Sequence, residues 1–195
     1  MDLHAPKKNL RVHYRAARAE LSKSDHAQFS QKICDRVWYS FFHYDALKDP
    51  LLRKRAVALY FPIDHEVNIS FLSHKLFSEE IPIALPDFSD PTRPFKLVRD
   101  FSEVRMDGKI PLPPADAKPV RPDIVIVPGV AFSIAGYRLG FGKGFYDQAL
   151  ASGSALKIGV CFQCQKSRDL PVEVHDVRMN LVVTETEILP LPPLL

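Results

Sequence analysis

The chain of 195 residues is 46% hydrophobic and 25% charged, a composition typical of one globular domain and not of a disordered protein. Its apolar runs are far shorter than a membrane-spanning helix, and its N-terminal region lacks a secretory apolar segment, so we expect a cytoplasmic protein. The net charge of +3 is too small to indicate a nucleic-acid-binding protein. It is compatible with an enzyme that gathers its cations in one cleft for polyanionic substrates.

The three cysteines are Cys34, Cys161 and Cys164, an odd and small number that argues against a disulfide framework. Cys161 and Cys164 form a C-x-x-C pair, but the sequence has no second Cys/His pair beside it to complete a tetrahedral zinc site. Cys161 also continues the apolar run of residues 158–162. We therefore favour buried thiols over redox or metal chemistry.

Two helices are predicted at the start of the chain. Residues 7–21 place Leu10, Tyr14 and Ala17 at helical spacing with cations between them, which composition alone would assign to a solvated basic surface helix. A second helix is predicted from about residue 25 to residue 42, with Ser24 as its N-cap. Its apolar stripe, suited to packing against a sheet, consists of Phe29, Ile33, Val37 and Phe41.

The first predicted strand covers residues 56–61, after a polar connection at 43–54, and it is stopped by Pro62. A polar loop with Glu66 and Asn68 follows, and then a helix that ends near residue 79. We expect Asn68 to cap that helix. A strand, a short polar loop and a helix form the place where an α/β sheet commonly binds its ligands.

The middle of the chain contains short elements and many prolines. Strands are predicted at 81–85 and 95–98, with a turn or short helix at 100–103. The proline-rich segment at 106–122 is expected to be extended and loop-like. We interpret it as a lid or edge connection within one domain.

A glycine-rich segment follows an apolar strand predicted at 123–127 and precedes a helix predicted at 145–150. It holds five of the eight glycines, at positions 129, 136, 140, 142 and 144. Backbone N–H groups of such a loop at a helix N-terminus suit a phosphate, and Arg138 and Lys143 add cationic donors. The spacing matches neither a P-loop nor a dinucleotide fingerprint. A glycine-rich turn with two solvated cations explains the local pattern equally well.

Two further strands are predicted at 156–162 and 181–185, and the tail at 190–195 is expected to be loosely held. The alternation of strands and helices predicts a single three-layer α/β domain with a mostly parallel central sheet, helices on both faces and an N-terminal basic helix. The loops at 62–68 and 128–144 would follow the carboxyl ends of their strands, where one cleft could hold two substrates.

Four segments carry a pattern that is more specific than their composition. They are Lys7-Lys-Asn-Leu-Arg11, then Glu66-Val-Asn68, then Val127-Pro-Gly-Val-Ala-Phe132 with Gly136-x-Arg-Leu-Gly-x-Gly-x-Gly-x-Tyr-Asp147, and finally Pro171-x-Glu-x-His-Asp176 with Val182-Val-Thr-Glu185. In this order they resemble the 5-formyltetrahydrofolate cyclo-ligase (methenyltetrahydrofolate synthetase) family over residues 7–185.

The resemblance implies an enzyme that cyclises 5-formyltetrahydrofolate to 5,10-methenyltetrahydrofolate with ATP as co-substrate and Mg²⁺ as cofactor. The formyl oxygen would be phosphorylated, and ADP and phosphate would be released. The resemblance further implies a protein that acts on small molecules as a monomer, without nucleic acid or membrane. It assigns catalysis to Arg138, Tyr146 and Asp147; ATP binding to Lys7, Arg11, Gly140, Phe141, Gly142, Lys143, Gly144 and Phe145; folate binding to Phe61, Glu66 and Tyr146; and Mg²⁺ binding to Asp147 and Asp176.

The sequence departs from the family pattern at two places. The family carries a glutamate in the segment that here reads Ile110-Pro-Leu-Pro113, and a tyrosine at the position of Phe145. These departures motivate one alternative, a catalytically impaired relative that still binds nucleotide or folate. Two others are a sugar-phosphate or CoA-ester enzyme and a nucleic-acid-binding protein. The first lacks an evident acid/base pair or nucleophilic carboxylate in the sequence, and the second lacks an aromatic platform for bases.

Overall fold

The computed structural model describes residues 7–42, 55–90, 92–107, 110–151 and 153–191. The predicted polar connection at 43–54 and residues 192–195 of the predicted tail lie outside the described residues. Within the described part of the chain, no helix is both long and apolar enough to cross a membrane.

The four predicted helices are present as α1 (Lys7–Ala19), α2 (Lys23–Phe41), α3 (Ser70–Ser78) and α4 (Phe145–Leu150). The predicted cap of α2 is wrong by two residues: Ser22, not Ser24, is the N-cap, because the Ser22 Oγ accepts a 3.0 Å hydrogen bond from the Asp25 N–H. Asn68 lies just before α3, and its Oδ1 accepts a 3.0 Å bond from the Ser70 N–H. The N-cap residue itself is Ile69, without a side-chain cap.

The described residues form twelve strands. In chain order they are β1 (Val57–Ala58), β2 (Ile83–Pro86), β3 (Phe95–Val98), β4 (Arg105–Asp107), β5 (Ile110–Leu112), β6 (Ile124–Pro128), β7 (Ala131–Ser133), β8 (Arg138–Leu139), β9 (Leu156–Val160), β10 (Lys166–Ser167), β11 (Leu181–Val183) and β12 (Ile188–Pro190).

Seven strands form the central sheet, in the order β12-β11-β9-β6-β1-β2-β3. The strands from β11 to β2 are mutually parallel, and the two outer strands, β12 and β3, pair antiparallel to their neighbours. The predicted mostly parallel α/β sheet is therefore confirmed. Pro190, which was expected to lie in a loose tail, pairs with Leu181.

Both faces of the central sheet are covered by helices, as predicted. Ile124 and Ile126 of β6 belong to the core on the α2 and α3 side, while Val125 and Val127 belong to the core on the α4 side. Because both sets of side chains are buried, β6 is an unbroken apolar run, as expected for a central parallel strand. Helix α1 packs instead on Val130, Ala131, Leu139 and Leu170.

Two small sheets were not predicted. Strands β10, β7 and β8 form one of them, so the predicted loop at 128–144 contains a hairpin before Gly140, Gly142 and Gly144. Strands β4 and β5 form the other, which corrects the prediction of a loop-like connection in the first part of the proline-rich segment at 106–122. Pro111 is tolerated in β5 because it lies in a two-stranded ribbon that leaves edge positions free of ladder bonds.

Candidate active site

One cavity of about 760 Å³ opens at the carboxyl ends of the parallel strands. Pro86 at the end of β2, Pro128 at the end of β6, and Tyr60 and Phe61 just beyond β1 contribute to its wall. Every residue predicted for the site lines this cavity: Lys7, Arg11, Phe61, Glu66, Arg138, Gly140, Phe141, Gly142, Lys143, Gly144, Phe145, Tyr146, Asp147 and Asp176. The two predicted loops therefore meet in one place.

Arg138, at the start of β8, has a side chain that is only 7% exposed. Its Nη2 donates a 2.9 Å hydrogen bond to Asp147 Oδ2, and its guanidinium carbon lies 5.3 Å from the centre of the Tyr146 ring. Its Nε is buried and has no hydrogen-bond partner among the described residues. A Cβ on Gly140 would lie 2.4 Å from Arg138 Nη1, so glycine at position 140 makes room for the guanidinium.

The glycine loop after β8 follows a backbone path that favours glycine. Gly142 and Gly144 have φ values of +94° and +67°, in the left-handed region. Helix α1 holds this loop, since Arg11 Nε donates a 2.7 Å bond to the Gly140 carbonyl and the Arg11 guanidinium lies against Gly142. Lys143 remains exposed beside them.

Lys7, at the first turn of α1, also lines the cavity. Its Nζ forms ion pairs with Asp176 Oδ2 at 2.9 Å and Glu173 Oε1 at 3.0 Å. Burial opposes the charge of Lys7, but the bonds to the two carboxylates outweigh it and raise the pKa of Lys7. Burial likewise acts to raise the pKa of Asp176, yet the Lys7 bond and the Glu173 N–H lower it overall. Both groups are therefore charged at neutral pH.

Glu66 is a buried carboxyl group, with 4% exposure, that also lines the cavity. Its Oε2 accepts a 3.1 Å hydrogen bond from the Ile63 N–H. Burial raises the pKa of Glu66 to about 7, although the Ile63 N–H and the charge of Arg18 act in the opposite direction. A carboxyl group with a pKa near neutrality can accept or donate a hydrogen bond to a ligand according to its protonation state.

Aromatic side chains line the space between these polar groups. The Phe88 ring lies 4.5 Å from the Phe145 ring, and Phe61 contacts Phe101 edge-on at 5.3 Å. Tyr146 is buried, and burial strongly raises the pKa of its hydroxyl. The tyrosine hydroxyl is therefore protonated at neutral pH.

Sequence reasoning missed several residues of this wall. They are Tyr60, Ile63, Leu85, Pro86, Phe88, Pro111, Pro128, Leu139, Glu173 and His175. His175 lines the cavity, and its Nε2 lies 3.3 Å from Glu173 Oε2. Glu173 and His175 belong to the predicted terminal motif, so their position could have been inferred from Asp176. Phe88 and Leu85 carry no comparable local signal.

The described residues contain no cluster of three or more His, Cys, Asp or Glu that could hold a metal ion. The predicted Mg²⁺ ligands, Asp147 and Asp176, each line the cavity and each accept a bond from a cation, Arg138 and Lys7 respectively. Such a donor set does not form a protein-only metal cage. It fits a Mg²⁺ ion that arrives bound to phosphates and takes one or two carboxylates from the protein.

The cysteines take no part in this cavity. Cys34 and Cys161 are buried, as predicted, whereas Cys164 is exposed, and all three are free thiols. Burial raises the pKa of the Cys161 thiol, which leaves it protonated and unreactive.

The chain was compared with known proteins. The model of the 5-formyltetrahydrofolate cyclo-ligase family matches residues 4–185. The chain is 33% identical over 150 residues to the 5-formyltetrahydrofolate cyclo-ligase of Escherichia coli (strain K12), covering 71% of this chain and 82% of that protein. It is 28% identical over 182 residues to the enzyme of the same name from Mycoplasma pneumoniae, covering 92% and 98%.

The fold has a close counterpart among solved structures. The NMR structure of Aquifex aeolicus 5,10-methenyltetrahydrofolate synthetase superimposes with a TM-score of 0.80 at 28% sequence identity, covering 96% of this chain and 93% of that one. The shared fold and the sequence matches define an enzyme of the ligase class that acts on small molecules. The chain belongs to the 5-formyltetrahydrofolate cyclo-ligase family.

Proposed function

We propose that this enzyme cyclises 5-formyltetrahydrofolate to 5,10-methenyltetrahydrofolate with MgATP as co-substrate, releasing ADP and phosphate. One observation carries the proposal: a single cavity has an arginine-backed glycine loop on one wall and a buried carboxyl group, Glu66, on the other. The glycine loop suits the phosphates of a nucleotide. The carboxyl group and the aromatic rings suit a flat heterocycle with N–H donors.

The chemistry needs activation because a formamide oxygen is a poor leaving group. The formyl oxygen attacks the terminal phosphorus of ATP, the bond from that phosphorus to the ADP oxygen breaks, and ADP leaves. The neighbouring secondary amine of the folate then attacks the activated formyl carbon and loses its proton. Cleavage of the carbon–oxygen bond expels phosphate and forms the methenyl bridge. Every bond in this sequence joins substrate atoms, so the protein provides positioning and charge stabilisation.

Arg138 is the residue best placed to stabilise the transferring phosphoryl group. Its guanidinium is nearly excluded from water and is oriented by Asp147, so it requires little rearrangement when charge develops. The N–H groups of Gly140, Gly142 and Gly144 would bind phosphate oxygens from the same side. Phe141, Lys143 and Phe145 would complete that wall of the nucleotide site.

Lys7 and Arg11 would hold the nucleotide phosphates from α1. Because Lys7 is paired with Asp176, an incoming phosphate would take over Lys7 while its Mg²⁺ ion takes over Asp176, directly or through water. Asp147 would serve as the second carboxylate for the ion. The Mg²⁺ ion would neutralise charge on the phosphate oxygens during transfer.

The folate would lie between Glu66, Phe61 and Tyr146. A carboxylate at the position of Glu66 can accept two parallel N–H bonds from the amino-pyrimidine edge of a pterin. The phenol of Tyr146, neutral and close to Arg138, could donate a hydrogen bond to the formyl region. Phe145 retains an aromatic face at the family's tyrosine position and packs against Phe88 in a tilted contact.

The test follows the near-ultraviolet absorbance of the methenyl product after mixing the protein with 5-formyltetrahydrofolate, Mg²⁺ and ATP. We expect a rise that requires both ATP and Mg²⁺ and that is abolished by Arg138→Ala. A protein that binds ATP and folate by calorimetry but gives no rise would be the catalytically impaired relative, and the proposed reaction would be wrong. A rise without ATP would contradict the phosphorylation step.

A further inference from the structure

The turn that carries Glu66 has an unusual backbone. Asp64 and His65 have φ values of +49° and +60°, and the Glu66 N–H donates a 2.9 Å bond to the Ile63 carbonyl. This is the pattern of a type I′ turn, which favours glycine, asparagine or aspartate at its two central positions, so Asp64 is a usual residue there and His65 is the less usual one. Left-handed conformations of other residues cost of order 1–3 kcal/mol and persist only where surrounding contacts hold them.

Two arginines of α1 hold this turn through Asp64. Arg15, half exposed, donates bonds of 2.7 and 3.2 Å to the two Asp64 carboxylate oxygens. Arg18 is 1% exposed. Its Nη2 donates to the Asp64 carbonyl and, at 3.0 Å, to Asp64 Oδ2, and its Nη1 reaches the Gly129 carbonyl at 3.4 Å. Arg18 thus connects the turn to the end of β6.

A buried arginine is costly unless its charge and hydrogen bonds are satisfied, and Arg18 keeps one buried nitrogen, Nε, without a partner among the described residues. Such a residue is poorly explained by stability alone, because burying a charge seldom stabilises a fold. Its carbonyl and carboxylate partners instead fix the backbone two residues before Glu66. That backbone also supplies the Ile63 N–H that orients the Glu66 carboxyl group.

We propose that Arg18 is a positioning residue for folate binding: it holds the turn at 63–66 in its left-handed conformation and so directs the Glu66 carboxyl group into the cavity. This inference rests on the proposed function, in which Glu66 binds the pterin. Arg18 acts through the turn and needs no contact with the substrate.

The charge of Arg18 supports this role, since it lowers the pKa of Glu66 against the effect of burial. Other charged or titratable groups also face Glu66 from the elements around it. They are Asp64 in the same turn, Arg138 of β8, Tyr60 beyond β1, Tyr146 of α4, and His26 of α2, whose ring contacts the Glu66 carbonyl at 3.0 Å. Loss of Arg18 would remove one of the two cations in this set.

The test measures the affinities of wild-type protein and Arg18→Gln for 5-formyltetrahydrofolate and for MgATP separately, by calorimetry. We expect folate binding to weaken about tenfold or more, while MgATP binding changes less than about twofold. In the pH profile of kcat/KM for folate, the acid limb should move to higher pH. Arg36→Gln is the matched control, because Arg36 donates one 3.2 Å bond to the Glu185 carbonyl from α2 and does not line the cavity.

A rescue distinguishes positioning from general destabilisation. Glycine adopts left-handed conformations without steric cost, so the double variant Arg18→Gln/His65→Gly needs less support for its turn and should regain most of the folate affinity. Equal losses of folate and MgATP binding without rescue, or unchanged folate affinity, would overturn the proposal. If Arg18→Gln does not fold, Asp64→Ala removes the Arg18–Asp64 ion pair at its more exposed partner. This variant must then weaken folate binding more than MgATP binding.

The binding measurements do not depend on turnover. Wild-type protein that binds 5-formyltetrahydrofolate without converting it would overturn the proposed reaction while the effect of Arg18→Gln on affinity still decides the role of Arg18. Normal turnover by wild-type protein and normal folate affinity in Arg18→Gln would refute the positioning role alone.

Discussion

The two loops that face each other across the cavity reach left-handed backbone conformations in different ways. In the loop after β8, the positive φ values belong to Gly142 and Gly144, which adopt them without steric cost. In the turn at 63–66, the positive φ values belong to Asp64 and His65. Arginines of α1 hold this turn by bonding to Asp64. Glycine leaves space for a ligand to approach the backbone closely. The turn at 63–66, which we call the supported turn, has a side chain at every position. It instead fixes the direction of the Glu66 carboxyl group.

The largest effect should come from removing the cation that the glycine loop surrounds. Arg138→Ala should lower kcat by about 10³-fold or more, because the transferring phosphoryl group loses its buried guanidinium. Single-turnover absorbance measurements would check this. Lys143→Ala is the control, since Lys143 is an exposed cation of the same loop, and a loss as large as that of Arg138→Ala would contradict the assignment.

The glycine loop offers a matched pair of substitutions. In Gly140→Ala the new Cβ would lie 2.4 Å from Arg138 Nη1, so the guanidinium must shift from the position in which it bonds to Asp147, and we expect kcat to fall by about 10²-fold. In Gly144→Ala the nearest neighbouring atom lies 3.9 Å away, and only the φ of +67° is unfavourable. Its cost of about 1 kcal/mol should change activity by no more than about fivefold.

Steady-state kinetics of the two glycine variants would decide whether space or backbone conformation matters at each position. Circular dichroism spectra should be unchanged in both. A larger effect from Gly144→Ala than from Gly140→Ala would show that glycine is needed in this loop for its positive φ values. It would contradict the view that glycine is needed to leave space for Arg138.

Glu66→Gln, in the supported turn, should have opposite effects on folate affinity and on the stability of the folded protein at pH 8. The pKa of Glu66 rises from 4.5 to about 7 on folding, so its contribution to stability is fully present below pH 4.5 and is lost as the pH rises through 7. Glutamine avoids this loss. The variant should be more stable than wild type at pH 8, by on the order of 3 kcal/mol, and equally stable at pH 4.

Thermal unfolding at both pH values would measure the stability of Glu66→Gln, and calorimetry would measure its folate affinity, which should fall about tenfold through loss of one charged hydrogen bond. Equal stabilities of variant and wild type at pH 8 would show that Glu66 ionises without penalty in the folded protein.

The smallest effect should come from making the supported turn resemble the glycine loop. His65→Gly places glycine at a φ of +60°, and relief of strain should raise the free energy of unfolding by about 0.5–1 kcal/mol. Denaturant unfolding would measure the change. Ser70→Gly, at the first position of α3 and with an ordinary φ, is the control and should destabilise the protein. Destabilisation by His65→Gly would indicate that the turn is not strained.

The contrast between the glycine loop and the supported turn also explains which features could be predicted from the sequence. The glycine loop and the helix at 145–150 were located correctly because glycine spacing and an apolar run are local signals. The roles of its residues came from family resemblance, since the local pattern left a plain turn as an equal alternative. The turn at 63–66 carries a weaker local signal: Asp and His are enriched at left-handed positions but are not diagnostic of them, and the arginines that hold this turn are distant in the chain.

One signal for Arg18 was present and was not used. Lys7, Arg11, Arg15 and Arg18 recur at spacings of four, four and three residues, which places all four on one face of α1. The resemblance to the family assigned roles only to Lys7 and Arg11. Like charges along one helix face repel one another, so four cations in a stripe indicate that negative or carbonyl groups pair with the whole face. The tertiary structure decides which residues supply these groups. Strands β7, β8 and β10 were missed for a related reason, since runs of two or three residues have no detectable periodicity.

The position of α1 has a consequence for how the enzyme is made. Its partners lie far along the chain: Arg18 bonds to a carbonyl 111 residues away, Arg11 to one 129 residues away, and Lys7 to a carboxylate 169 residues away. A helix of 13 residues is marginally stable by itself in water. Helix α1 therefore cannot complete its docking until residue 176 has been synthesised. A chain that stops before residue 176 would lack the carboxylate that pairs with Lys7, so the Lys7 side of the cleft is assembled only after that residue has left the ribosome.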